Sequence, residues 1–254
     1  PFLTTNHAPP FLSVLVPVHN EAENIEPLIA EIYAALEGNI PYEVIYVDDG
    51  STDNSWPILQ ELANRFKRLR IIRHRRSYGQ SIAILTGVKA ARAQWIVMLD
   101  GDGQNDPADI LSLLAVLQAP ARPPNLQMVA GYRQKRQDNW LKRLSSKMAN
   151  GIRRRLLHDN TLDTGCSLKL FSRRAFLAIP QFNHNHRFLP ALFLRNGGQI
   201  ISVAVNHRPR LHGQSNYGLV DRLGTGIIDL LGVMWLQRRS SVAEVIEGHL
   251  KPEE

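Results

Sequence analysis

Asp100 and Asp102 are separated by one glycine and follow directly on the apolar run Trp95-Ile96-Val97-Met98-Leu99. Five apolar residues in a row have the character of a buried strand, and open α/β sheets bind ligands at the carboxyl ends of their strands. Two carboxylates this close repel one another unless a cation neutralises them. Hard oxygen ligands suit Mg2+ or Mn2+, and Mg2+ is commonly shared between carboxylates and substrate phosphates. The pair therefore points to a metal holding a diphosphate. Taken alone, an Asp-Gly-Asp is more often a polar turn before a helix, here the one after Pro107.

Two further apolar runs end in polar signatures. Residues 11–18 lead into Pro17-Val18-His19-Asn20-Glu21, and residues 42–47 into Asp48-Asp49-Gly50-Ser51-Thr52-Asp53. A buried carboxylate at the second position could accept a hydrogen bond from a base N–H or a ribose hydroxyl. By itself Asp-Gly-Ser is ordinary turn chemistry. A parallel sheet, however, brings neighbouring strand ends to one rim, where all three signatures can meet.

The elements that must position them follow from periodicity. Helices are expected over 21–36, up to residue 66 with Asp53 as N-cap, and over 77–91. Strands are expected at 11–18, 42–47, 69–73 and 95–99. Strands alternating with helices of this length imply βαβ crossovers and a mostly parallel sheet. In the second half, 126–131, 163–171 and 199–205 are strand candidates and 139–157 is a patterned helix, so the sheet is expected to become mixed there. With no Gly/Ser-rich linker, 11–217 reads as one domain, preceded by a loose leader (1–10) and followed by an amphipathic helix and tail (218–254).

The 254 residues carry a formal charge of +7 and are 44% hydrophobic. That composition is globular, and the charge implies an acidic partner such as nucleic acid, anionic lipid or a phosphate substrate. Acids dominate 21–61, whereas Arg and Lys crowd 133–155, where Asp138 is the sole acid. One half looks built around a cation and the other around an anion. The single Cys166 precludes an internal disulfide and fits a reducing compartment. The longest apolar stretch, 223–236, contains Asp229 and is shorter than the ~20 residues of a membrane span. The histidines show no zinc-site spacing, and Lys89 follows no phosphate-loop pattern.

In combination, V-P-x-x-N-E, V-D-D-G-S-x-D and a strand ending D-x-D-x-Q resemble the inverting family-2 glycosyltransferases of GT-A fold, in particular the polyprenyl-phosphate branch that includes the dolichol-phosphate mannose synthases. The resemblance spans about residues 12–217. It implies that Pro17, Asn20, Glu21, Asp48 and Asp49 border the nucleotide of a UDP- or GDP-sugar, with Gly79 and Gly101 lining the diphosphate site. Asp100, Asp102 and Gln104 would hold Mg2+ or Mn2+. Gly131-Tyr132-Arg133 matches a Gly-x-Arg of the family, Trp140 with Arg143 its Trp…Arg pair, and Arg210 to Tyr217 its R-x-x-G-x-S-K-Y element, with Asn216 in place of lysine.

The resemblance makes Arg133, Arg143, Arg210 and Ser215 the expected contacts of the acceptor phosphate. A lipid monophosphate has a second pKa near ~6, so it needs anion positioning rather than a base, and arginine supplies a rigid, permanently charged fork. Asp102 with the three arginines forms the expected catalytic set. In helix 139–157, Trp140, Leu144, Met148, Ile152 and Leu156 recur every four residues among Lys142, Arg143, Lys147 and Arg153 to Arg155. Such a helix either lies in an anionic membrane surface or packs on the sheet. The expected protein is peripheral on the cytoplasmic membrane face, where forming a homo-oligomer would strengthen the contact. Two rival readings are a family-2 enzyme with a hydroxyl acceptor, using Asp163 as base, and a basic nucleic-acid-binding module. No recognised binding motif accompanies the basic patch, so a nucleic-acid partner is not expected.

Overall fold

The computed structural model describes residues 9–133, 151, 153–159, 161–210 and 219–239. The chain forms β1 (Leu12–Val18), α1 (Ala22–Leu36), β2 (Tyr42–Asp48), α2 (Ser55–Arg65), β3 (Leu69–Arg73), α3 (Gln80–Ala90), β4 (Trp95–Met98), α4 (Asp109–Gln118) and β5 (Leu126–Arg133). These are followed by β6 (Lys169–Ser172), α5 (Arg173–Ala178), α6 (Leu189–Arg195), β7 (Gln199–Val205) and α7 (Leu219–Arg238). The seven strands make one sheet in the order β3-β2-β1-β4-β6-β5-β7. β6 runs antiparallel to both neighbours, and every other pair is parallel.

β1 and β2 are buried along their whole length, as expected of parallel strands covered on both faces. Leu12, Val14, Val16 and Val18 pack in the core beneath α1, α2 and α4, whereas Leu15 packs in the core beneath α3, α5 and α6. From β1 the chain moves outward through β2 to β3, then returns to place β4 on the other flank of β1. This reversal makes a topological switch point at the carboxyl ends of β1 and β4, where open α/β sheets bind ligands. Val18 lies opposite Asp48, and Leu99 N–H donates to Leu15 O, 3.2 Å away.

Several sequence expectations shift. α3 starts at Gln80 rather than 77, because residues 77–79 turn to donate to Asp49. The cap position of α2 is Asn54; Asp53 instead accepts from Ser55 N–H and Ala22 N–H, tying the starts of two helices together. Of 163–171, only the end is strand, since 163–167 is a loop held by side chains. Most of helix 139–157 lies outside the described residues. Its end, 153–157, is helical, but Arg153 is buried and paired with Asp159 at 3.1 Å, Leu157 is buried, and Leu156 is exposed. At this end the protein-facing positions are thus Arg153 and Leu157.

Candidate active site

β1 and β2 deliver the first side of the site. Asn20 adopts a positive φ of 58°, and its Oδ1 accepts from Thr52 N–H at 2.8 Å while its own N–H donates to Ser51 Oγ at 2.9 Å. Short polar side chains tolerate this backbone region because they bond locally. Asp48 is fully buried; its Oδ1 accepts from Ser51 N–H, and Arg73 Nε lies 3.1 Å from its Oδ2. Gly50 has φ +69°, and a Cβ there would stand 2.3 Å from the Arg76 carbonyl carbon. Both facts require glycine.

Asp49 organises the opposite wall. Its oxygens accept from His74 Nδ1 (2.7 Å), Ser77 Oγ (2.8 Å), Tyr78 N–H (3.0 Å) and Gly79 N–H (2.8 Å). Burial would raise its pKa, but these donors together outweigh it and hold the carboxyl below its ordinary value. Sequence reasoning expected Asp49 to border the nucleotide. Its oxygens accept from His74 and from the 77–79 turn, which carries Gly79 at φ +92° into α3. His74 was not anticipated, since a lone histidine after a strand carries no spacing signal.

At the end of β4, Asp100 Oδ1 accepts from Gln80 Nε2 at 2.7 Å. Burial, followed by the charge of Asp102, raises the Asp100 pKa. Glu21 is raised by burial too, against the lowering effects of Asn24 and Arg210. Asp102 Oδ1 accepts from Gln104 N–H. Gly101 permits the turn, because a Cβ there would lie 2.5 Å from Val18 Cγ1 and 3.3 Å from the carbonyl oxygen of Pro17. Arg210 reaches into this acidic group: its Nη2 donates to Glu21 Oε1 and stands 3.7 Å from Asp102 Oδ2. The ends of β1, β2 and β4 are thus linked at the switch point, with Arg73 and Arg210 among their carboxylates.

The comparisons agree with this geometry. The model of glycosyl transferase family 2 matches residues 13–179. The chain belongs to that family. It is 35% identical over 233 residues to a dodecaprenyl-phosphate galacturonate synthase of Rhizobium johnstonii, covering 89% of this chain and 67% of the relative. It is 34% identical over 212 residues to an undecaprenyl-phosphate 4-deoxy-4-formamido-L-arabinose transferase of Edwardsiella ictaluri, covering 83% and 64%. This chain therefore spans about two thirds of the length of these relatives. Among solved structures, a glucosyl-3-phosphoglycerate synthase of Mycobacterium tuberculosis with Mn2+, uridine diphosphate and phosphoglyceric acid aligns with TM-score 0.66 at 18% identity, over 92% of this chain and 80% of that one. A Pyrobaculum calidifontis mannosyltransferase with GDP-mannose and Mn2+ gives 0.65 at 19%, over 94% and 68%. These likenesses establish the GT-A-type α/β fold.

The donor set of this family-2 chain fits a hard divalent ion. Among the described residues, no group of three or more His, Cys, Asp or Glu could enclose a metal. Asp100 and Asp102 instead offer two carboxylates with an excess of negative charge, the pattern that leaves remaining positions to water and phosphate. Gln104, expected as a third ligand, directs its Nε2 to Arg208 O at 3.4 Å, and Arg208 N–H donates back to its carbonyl. Arg208 also pairs with Glu31 and Asp106, strapping this turn in place.

On the other side of β4, Arg133 is bonded to Asp163 through two contacts, Nε–Oδ2 at 2.6 Å and Nη2–Oδ1 at 3.0 Å. Sequence reasoning weighed these residues separately, one as phosphate ligand and the other as base. Arg210, expected with the acceptor arginines, lies beside Glu21 and Asp102 at the ends of β1 and β4. Arg143 and Ser215, with Trp140 and Asn216, lie outside the described residues. Gln80, Asn105 and Lys169 were missed, since polar residues at a helix start or inside an apolar strand carry no motif. Asn105 Oδ1 accepts from Ser167 Oγ at 2.6 Å, tying the acid turn to the 163–167 loop.

Proposed function

We propose that this family-2 glycosyltransferase moves a hexose from a nucleotide-sugar to a polyprenyl phosphate, with inversion at the anomeric carbon. The observation that carries the reading is the Arg133–Asp163 pair. Asp163 is the carboxylate a hydroxyl acceptor would need as base, and the Arg133 guanidinium engages both of its oxygens. A phosphate acceptor arrives already anionic and needs no base. The two curated relatives carry polyprenyl-phosphate names, which supports the same choice.

In this reading the 48–53 and 77–79 turns shape the nucleotide wall, and Asp100 and Asp102 would hold Mg2+ or Mn2+ on the diphosphate. The ion, when bound, stabilises the charge of the leaving nucleoside diphosphate. Arg210 lies where it can bind the same anion. Arg133, oriented by Asp163, presents cationic charge to the acceptor phosphate, with Arg143 and Ser215 as its proposed companions. The phosphate oxygen attacks the anomeric carbon as the bond to the diphosphate breaks on the opposite side, so an α-linked donor gives a β-linked lipid product.

No helix among the described residues is long and apolar enough to cross a membrane. α7 nevertheless exposes Ile227, Ile228, Leu231 and Trp235 by 58–70%. Their spacing places them on one face, with Arg238 and Arg239 at its end. The other face packs Leu230, Val233 and Met234 into the core, and Asp229 bonds His184 at 3.0 Å. An apolar face with a tryptophan and terminal arginines suits the interfacial plane of an anionic bilayer. It supports peripheral contact with the cytoplasmic leaflet, where the lipid acceptor lies.

The test is incubation with Mn2+, undecaprenyl phosphate and a panel of UDP- and GDP-sugars, with extraction of lipid-linked sugar and assignment of its anomeric configuration by NMR. A β-linked product from an α-linked donor is expected. Nucleotide binding without a lipid-linked product from any donor would defeat the reading.

A further inference from the structure

Lys169 places a side chain that normally seeks water in the centre of the sheet. It lies opposite Met98 of β4 and Ala130 of β5 and is only 2% exposed. Its Nζ donates to the carbonyl oxygens of Thr164, at 3.3 Å, and Cys166. Burial lowers its proton affinity, against the charges of Cys166, Asp100 and Asp163. Burying an ammonium costs several kcal/mol unless hydrogen bonds and charges offset it. A methionine would fill similar volume without that cost, so the amine is spent on something other than core packing.

The two carbonyls it engages lie between the two functional ends of one loop. At one end, Asp163 grips Arg133 and also accepts from Gly165 N–H at 3.1 Å. At the other, Ser167 Oγ donates to Asn105 and its side chain also acts on Asp100. The Lys169 ammonium pins the inner side of the 163–167 loop, and the loop orients Arg133. Resting on the polyprenyl-phosphate reading above, we infer that Lys169 is a positioning residue for the acceptor phosphate, acting through Asp163 and Arg133 without touching the substrate.

The experiment is a double-mutant cycle of Lys169→Met and Asp163→Asn, with Lys169→Arg as the charge-keeping control. KM for undecaprenyl phosphate, kcat, and nucleoside-diphosphate affinity with Mn2+ by calorimetry are the readouts. K169M should raise the acceptor KM about tenfold while changing nucleotide affinity less than about twofold. The double variant should be little worse than either single one, because both act through one clamp. K169R should stay close to wild type. Unchanged acceptor KM, additive effects, or a parallel loss of nucleotide affinity would each overturn the inference. If K169M does not fold, Lys169→Gln, which keeps a donor but not the charge, takes its place under the same criteria. If the wild type transfers nothing to undecaprenyl phosphate, it is the functional reading that fails. The positioning role is then decided by amide exchange at Gly165 and Cys166, which must accelerate in the variant for the loop-pinning role to stand.

Discussion

Arg210 Nη2 bonds Glu21 Oε1 across 189 residues of sequence and stands 3.7 Å from Asp102 Oδ2. The last described segment before α7 thus closes over the first strand end and sets a cation beside the acid pair. An arginine serving the acceptor alone would leave nucleotide affinity unchanged. Arg210→Ala is expected to weaken nucleoside-diphosphate binding by about tenfold or more, in line with loss of a charge-assisted contact, and to lower transfer with it. Calorimetry at fixed Mn2+ checks this.

Asp102→Asn removes one of the two carboxylates proposed to hold the metal while conserving shape. Mn2+ should then no longer strengthen nucleotide binding, and transfer should fall by about a hundredfold or more. A metal titration of nucleotide affinity separates this from a folding defect.

Gly50→Ala combines a left-handed backbone with a Cβ 2.3 Å from a main-chain carbon of Arg76. Backbone cannot yield as a flexible side chain can. A loss of about 2–4 kcal/mol is expected, measurable by urea denaturation. The neighbouring Ser77 to Gly79 donors of Asp49 should loosen as well, weakening nucleotide binding in the molecules that remain folded.

His186 Nδ1 is 2.7 Å from Ser81 Oγ, and burial lowers its pKa to about 3. The unfolded chain takes up this proton near ~6.5, so the group costs the native state stability as pH falls from there towards about 3, by up to ~1.4 kcal/mol per pH unit. Below that value both states are protonated and the cost stops growing. In His186→Asn this contribution is absent, and the stability gap between wild type and variant should move in the variant's favour from pH 7.5 to pH 5. Denaturant melts at the two pH values measure it.

Ile228→Glu with Trp235→Glu places two acids on the exposed face of α7 without touching Val233 or the His184–Asp229 bond. Cosedimentation with vesicles containing phosphatidylglycerol should fall several-fold, while nucleotide affinity in solution should not change. Equal binding by the double variant would remove α7 as the membrane-facing element.

Much of this protein was legible in its residues. The largely apolar runs 11–18, 42–47 and 95–99 correspond to β1, β2 and β4 within a residue, because strands buried on both faces are nearly continuous in apolar residues, the exceptions Ser13 and Glu43 bonding each other. The polar residues that end them had to reach one rim once the strands were parallel. Family membership followed from the same three motifs. What periodicity could not supply was pairing between distant side chains. That Asp163 grips Arg133 was decided when β6 inserted between β4 and β5. That Arg210 lies beside Glu21 and Asp102, and that Asp49 spends its oxygens on the 77–79 turn, was decided where the ends of β1, β2 and β4 meet. Side-chain bonds between distant segments depend on strand order and register, which local pattern does not encode. Lys169 shows the same limit: among apolar neighbours it has no pattern of its own, and only the buried carbonyls around it give the charge a place.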